Sequence, residues 1–184
     1  MPIYIIEHLE GKLWEWCLIE YKHIATIVSN LWFTNIKSNR LKKYGKVITK
    51  SVTQLSLKNA CVLDPAAKKT LTPEEAKTFD FFIFGGILGD DPPQKRTFPE
   101  LTSGLRNAEA RNIGKKQMST DTAVYVVKQI VEGKKLSDIT FKDTIEIPLG
   151  KHESTTLPYR YILINNKPMV SKELILYLKK RKGF

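Results

Sequence analysis

Short apolar runs alternate with amphipathic stretches over the first two thirds of the chain, a pattern that predicts a parallel α/β sheet. Ile3–Glu7 is the first predicted strand. Leu13–Ser29 is the first predicted helix. Trp14, Leu18, Tyr21, Ala25 and Val28 recur there at three- and four-residue steps, with Glu15, Lys22 and Thr26 off that face. Leu31–Asn35 is the second predicted strand, Thr49–Leu57 carries a weak helical pattern, and Cys61–Asp64 is a third strand closed by Pro65. Thr72-Pro-Glu-Glu75 opens a helix with proline at its first position. Phe79–Phe84 is the most apolar run and is predicted to lie centrally, buried on both faces.

The second half changes character. Leu105–Arg111 holds a further strand, and Gly114-Lys-Lys-Gln-Met118 is a loop. Ser119-Thr-Asp121 starts a helix through Glu132, with a hydroxyl cap, an early acid and Gly133 past its end. Strands around Thr144–Pro148 and Tyr159–Ile164, a turn at Asn165-Asn166 and a basic helix complete the pattern. Without repeats or a low-complexity linker, one globule is expected.

Composition narrows the class. At 184 residues, with 42% hydrophobic and 27% charged side chains, the chain has a globular balance. Phe81–Leu88 is too short to span a bilayer, so no membrane role is expected. The N-terminus lacks a signal-peptide pattern, and Cys17 and Cys61 stand apart from any C-x-x-C motif. Together these point to the cytoplasm. His8, His23 and His152 show no metal-ligand spacing, and no metal is expected. The net charge of +11 is uneven. Glu7, Glu10, Glu15 and Glu20 crowd the N-terminal third, whereas 37–60 carries Lys37, Arg40, Lys42, Lys43, Lys46, Lys50 and Lys58 without an acid. Lys179-Lys-Arg-Lys182 repeats the excess at the tail. Such charge suits contact with RNA or a ribosome, or simply a solvated lysine-rich surface.

The chemistry concentrates after the central strand, in FDFFIFGGILGDDPPQKRT. Gly85, Gly86 and Gly89 fall where open α/β sheets bind ligands, and a bare backbone admits a ligand that a Cβ would repel. A dinucleotide fingerprint fails because Phe84 stands at its first glycine and Asp90-Asp-Pro-Pro93 blocks the required helix. A P-loop fails at Glu109 and Lys116. Nor is there a nucleophile elbow. A small ligand held by backbone groups between loops 85–91 and 112–120 remains, and an organic cofactor carrying the reactive group is the leading enzyme reading.

The motifs IIEHLE, EWCLIEY, CVLDP, FDFFIFGGILGDDPPQKRT, GKKQMSTDTAV and LPYRYIL resemble those of the SPOUT-class protein-arginine methyltransferases, nearly end to end. The resemblance implies an α/β fold with a deep trefoil knot. It places the core in residues 1–140, the knot at about 79–132 and a small β/α extension in 141–184. It implies S-adenosylmethionine as cofactor and S-adenosylhomocysteine as product. Phe84, Gly85, Gly86, Ile87, Leu88, Gly89 and Asp90 would form the first cofactor loop, and Ile113, Gly114, Lys116, Gln117, Met118 and Thr120 the second. The eukaryotic member modifies a ribosomal protein, so a ribosomal substrate and a monomer are expected. An arginine acceptor needs carboxylates to orient it and take its proton, because its guanidinium stays charged at neutral pH. Glu7, Glu10 and Asp90 are the candidates; Arg96 and Thr97 are expected to brace the loop, and Arg160 to pair with an acid of the sheet. The alternatives are a SPOUT enzyme acting on RNA and a binding module without catalysis.

Overall fold

The computed structural model describes all residues except Asp90, Asp91, Pro93 and 182–184. Its larger sheet is built from β1 (Ile3–His8), β2 (Leu31–Thr34), β3 (Lys46–Val47), β4 (Ala60–Leu63), β5 (Phe81–Gly86) and β6 (Ala108–Arg111). The order is β3-β2-β1-β5-β4-β6, and every neighbouring pair is parallel. The helices are α1 (Glu15–Ile27), α2 (Pro73–Ala76), α3 (Thr97–Glu100) and α4 (Thr120–Val131).

Strand alternation sorts the core into two layers. Tyr4, Ile6, Cys61, Leu63, Phe82 and Phe84 point to one face and pack with Leu18, Tyr21 and Ile24 of α1 and Val124 and Val127 of α4. Ile5, Val62 and Ile83 point to the other, where Val52 and Leu101 cover them from short turns. β5 is therefore buried on both faces, as its unbroken apolar run predicts. Burial at about 1.5–3 kcal/mol per large apolar side chain outweighs any single hydrogen bond in holding these layers.

A second, antiparallel sheet follows: β7 (Phe141–Pro148), β8 (Ser154–Ile164) and β9 (Lys167–Pro168), with α5 (Lys172–Arg181) beside it. Its apolar side chains, Ile145, Ile147, Leu157, Tyr159 and Tyr161, form a cluster with Leu174 and Leu178 of α5 and Ile19 of α1. Helix α1 is thus buried on two sides. The Asn165-Asn166 turn has both residues at positive φ, as a tight hairpin requires.

Three local expectations need correction. The pattern over 49–57 is not a helix; only Val52–Gln54 forms a single 3₁₀ turn. The segment is held instead by the Glu7 carboxylate, which accepts from Ser51 Oγ at 2.6 Å and Val52 N–H at 2.9 Å. The helix opened by Thr72 ends after one turn, at Ala76. Ser119 does stand at the start of α4, but its hydroxyl donates to Thr122 Oγ1 at 2.9 Å and does not cap a backbone N–H. Among the described residues, no helix is long and apolar enough to cross a membrane.

Gly86 ends β5 beneath α1. A Cβ there collides with the Tyr21 hydroxyl and closes to 3.0 Å of the Glu7 carbonyl oxygen. Gly86→Ala is expected to lower unfolding stability by about 1–3 kcal/mol in urea titrations, as overpacking does, with partial relief in the Tyr21→Phe background.

Candidate active site

The sheet's carboxyl edge opens into a cleft of about 1020 Å³ at the ends of β4, β5 and β6. Two loops meet there. Phe84, Gly85, Ile87, Leu88 and Gly89 line one side; Ile113, Gly114, Lys116, Gln117, Met118 and Thr120 line the other. Contact between the loops is close: a Cβ on Gly89 would fall on the Gln117 amide nitrogen and the Tyr159 ring. Gly86 belongs to the same loop by sequence, but its open side faces Tyr21 and it is not part of the lining.

Each loop has its own support. Glu10 Oε1 accepts from Leu88 N–H at 2.9 Å and from Arg96 Nη1 at 3.0 Å. Arg96 also donates through Nε to Glu100 at 2.6 Å, so it braces the glycine loop from behind. The second loop turns on Asn112, a buried side chain with all four hydrogen-bonding positions filled. Its Oδ1 accepts from Gly114 N–H and Thr70 Oγ1, both at 3.1 Å. Its Nδ2 donates to the Ala67 and Lys69 carbonyls, both at 3.0 Å. Strand β8 then ties the loops together: Tyr159 Oη donates to the Gly89 carbonyl and Arg160 N–H donates to the Gln117 carbonyl, each at 2.8 Å.

The carboxylates are arranged differently from the sequence expectation. Asp90 lies outside the described residues. Glu7 does not line the cleft; it is buried and accepts from Thr34 Oγ1 at 2.5 Å, Ser51 Oγ and Val52 N–H, stitching β1 to β2 and the 51–52 turn. Glu10 also stands behind the lining, occupied by Leu88 and Arg96. The acids that do line the cleft are Glu20, Asp64 and Asp143. Asp64 is spent on its own turn, accepting from Ala66 N–H at 2.8 Å and Thr102 Oγ1 at 2.7 Å. Asp143 accepts from Arg160 Nε at 2.6 Å and Lys116 Nζ at 2.5 Å, and these bonds hold its carboxyl well below the usual carboxylate range. Arg160 thus pairs with an acid of the sheet, as expected.

Glu20 is the residue the sequence reading passed over. It projects from α1, is 7% exposed, and accepts from Trp16 Nε1 at 3.0 Å. Burial first, and the neighbouring Asp121 carboxylate second, push its carboxyl up to about 8 against the opposing hydrogen bonds of Trp16 and Thr120. Asp121 is itself buried and meets His23 Nδ1 at 2.7 Å. The signal lay in the spacing: Trp16, Ile19, Glu20 and His23 form a second helical face, opposite the one the periodicity revealed.

The cleft suits S-adenosylmethionine. It has the volume, and Leu88, Ile113, Met118 and Ala123 give it an apolar side for a purine. The bare backbones of Gly85, Gly89 and Gly114 allow close approach. Among the described residues no group of His, Cys, Asp and Glu could hold a metal ion.

Solved structures support this reading. The yeast arginine methyltransferase SFM1, crystallised with SAM, matches with a TM-score of 0.88 at 35% identity, covering 98% of this chain and 91% of that one. A dual specific Trm10 from Thermococcus kodakaraensis shares the fold at a TM-score of 0.57 and 19% identity, covering 75% of this chain and 96% of that one. Fold and cleft define a SPOUT-class methyltransferase dependent on S-adenosylmethionine. Protein arginine N-methyltransferase SFM1 of Saccharomyces cerevisiae is 36% identical over 200 residues, spanning 96% of this chain and 94% of its own length. The family described as "Protein arginine N-methyltransferase SFM1-like" matches residues 3–183, and the chain belongs to that family.

Two outcomes follow from this geometry. Gly89→Ala is expected to weaken S-adenosylhomocysteine binding at least about tenfold by calorimetry, a cost of about 1.4 kcal/mol, and to lower the thermal midpoint as well, because the added Cβ must displace the buried Tyr159 ring. Glu20 has a folded-state pKa of about 8, above its ordinary 4.5, so its protonated form stabilises the fold. That contribution is complete below pH 4.5 and is lost as pH rises through 8. Glu20→Gln is therefore expected to gain stability relative to the parent protein across that window, measured by urea unfolding at stepped pH.

Proposed function

We propose that the protein transfers a methyl group from S-adenosylmethionine to an arginine side chain of another protein, and that this acceptor is a ribosomal protein. The observation that carries the reading is the single cleft enclosed by the 84–89 and 113–120 loops, in a chain of the SFM1-like family.

When bound, the sulfonium supplies an activated methyl, so the protein's work is chiefly alignment. The two backbone loops hold the donor, and their ties to Glu10, Asn112 and β8 fix their separation before anything binds. Preorganisation of this kind avoids reorganisation during reaction. The apolar lining at Leu88, Ile113 and Met118 excludes water from that side.

A partner surface belongs to the same reading. Lys37, Arg40, Lys42, Lys43, Lys46, Lys50 and Lys58 are all exposed along the β2–β3 edge and the segment after it. With the basic turn of α5, they suit contact with ribosomal RNA around a protein target, the enzyme acting as a monomer. The cytoplasm is the proposed setting; Cys17 and Cys61 are free thiols and both are buried. A second reading, methylation of RNA itself, is favoured by the exposed Lys68, Lys95 and Lys115 on the cleft lining.

Tritiated S-adenosylmethionine incubated with enzyme and undermethylated ribosomal subunits separates the two. Label is expected in a protein band, released on acid hydrolysis as methylarginine; label confined to RNA would end the protein-arginine reading.

A further inference from the structure

We propose that His8 and Tyr21 are positioning residues for the first cofactor loop, and that the hydrogen bond between them ties cofactor affinity to pH. Neither side chain lines the cleft, and the inference concerns the donor side alone, whichever acceptor is methylated.

The geometry starts from Gly86. It is the base of the glycine loop, with Gly85 before it and Ile87 after it on the cleft lining. His8 is its partner across the β1–β5 ladder, and Leu9 N–H donates to the Gly86 carbonyl at 3.3 Å. The Tyr21 hydroxyl of α1 occupies the space that a Cβ on Gly86 would need. That hydroxyl lies 2.9 Å from His8 Nδ1, with the two rings edge to face. Asn35 Nδ2 donates to the His8 carbonyl at 2.8 Å and fixes the end of the strand. His8 is 3% exposed and Tyr21 1%, so neither can exchange its partner for water. Among the described residues, His8 Nε2 has no hydrogen-bond partner.

The direction of the bond sets the pH dependence. Burial holds the Tyr21 hydroxyl well above its ordinary 10, so it keeps its proton. A neutral His8 leaves Nδ1 bare to accept from Tyr21, with Nε2–H beside the Lys12 main chain. A second proton turns Nδ1 into a donor, and Tyr21 must then turn its own proton away. Gly86 is packed against that hydroxyl, so the adjustment passes to the base of the loop. The charged and titratable groups facing the pair are Glu7 and Glu10 beside His8, and Cys17 and Glu20 on α1. The strands contribute only Gly86 and Phe33 there. Burial outweighs the pull of Glu10 and Glu7 and lowers His8 below its ordinary 6.5. Cofactor affinity is therefore complete above pH 6.5 and declines as pH falls through the lower midpoint of the folded protein. By reciprocity, bound cofactor favours the neutral ring.

The test uses the full chain with ¹⁵N-labelled histidine, whose three imidazoles are resolved in long-range ¹H–¹⁵N spectra. His8 is assigned by its loss in His8→Gln or, should that variant not fold, by elimination with His23→Gln and His152→Gln. At neutral pH it is expected as the Nε2–H tautomer. Saturation with S-adenosylhomocysteine is expected to lower its titration midpoint by about half a pH unit or more, equivalent to about a threefold loss of affinity on protonation. Tyr21→Phe keeps the ring and removes the hydroxyl. It is expected to weaken S-adenosylhomocysteine at least about fivefold at neutral pH and to abolish the shift of His8 on saturation. A merely structural pair would change the unfolding midpoint without that shift. Equal His8 midpoints with and without S-adenosylhomocysteine overturn the proposal, as does parental affinity in Tyr21→Phe. A shift that survives in Tyr21→Phe overturns the route through the hydroxyl. A His8 ring that stays neutral until the protein unfolds in acid overturns the link to pH.

Discussion

Two neighbouring residues of one strand fix the cleft. Tyr159 and Arg160 of β8 hold the Gly89 and Gln117 carbonyls, each at 2.8 Å, and so set the distance between the two backbone loops. Each bond alone contributes only about 1 kcal/mol net. What keeps the strand there is the apolar cluster of Leu157, Tyr159 and Tyr161 with α5 and Ile19. The second sheet is thus a structural part of the cofactor site, although the glycines that mark that site lie in the first. Removing its packing would release the constraint on both loops together.

The same helix face that anchors the second sheet also carries Glu20. Ile19 packs into the β7–β8–α5 cluster while its neighbour Glu20 turns toward the cleft. Burial of a carboxylate beside Asp121 is unfavourable by itself, and nothing in the apolar packing requires an acid at this place. Around it the lining is cationic, with Lys68, Lys95 and Lys115 exposed and Arg96 and Arg160 held in ion pairs. The cleft is therefore basic at its surface and acidic in its depth. An acceptor with a cationic tip matches the acidic depth of that field, as an arginine side chain does.

Much of this was legible in the sequence because periodicity reports burial. The unbroken apolar runs of β1, β4 and β5 and the apolar face of α1 appear where the residues predict them, and Gly85 and Gly89 reach the cleft that their position after the central strand implies. The losses share one cause: the deciding partner is far away in sequence. β3 is two residues long and exists because β2 offers its edge. Residues 49–57 abandon their weak helical pattern because Glu7, over forty positions earlier, claims Ser51 and Val52. Glu7 and Glu10 drew attention as acids beside a strand end, yet that place at the sheet's edge is also where backbone donors need acceptors, and both carboxylates serve them. Glu20 went unmarked since a glutamate in an amphipathic helix ordinarily faces water. Its burial comes from distant elements, Thr120 and Asp121 of α4 and Tyr161 of β8.

The candidate cofactor residues divide by how they line the cleft, and the division explains why glycines were the more readable part. Gly85, Gly89 and Gly114 act by lacking a side chain, a property fixed by identity alone. Lys116 also lines the cleft, but its ammonium is committed to Asp143 at 2.5 Å. Gln117 holds β8 through its main-chain carbonyl. At Lys116 the side chain is spent on an ion pair and at Gln117 the main chain carries the structural role, so side-chain chemistry is a poor guide to cofactor contact there. Recognition by backbone tolerates varied side chains around a fixed path, and the path is set by Asn112, Glu10 and β8. The specificity of the site then falls to the side chains that reach the cleft without an ion pair; among the described acids these are Glu20 and Asp64, each held by neutral donors.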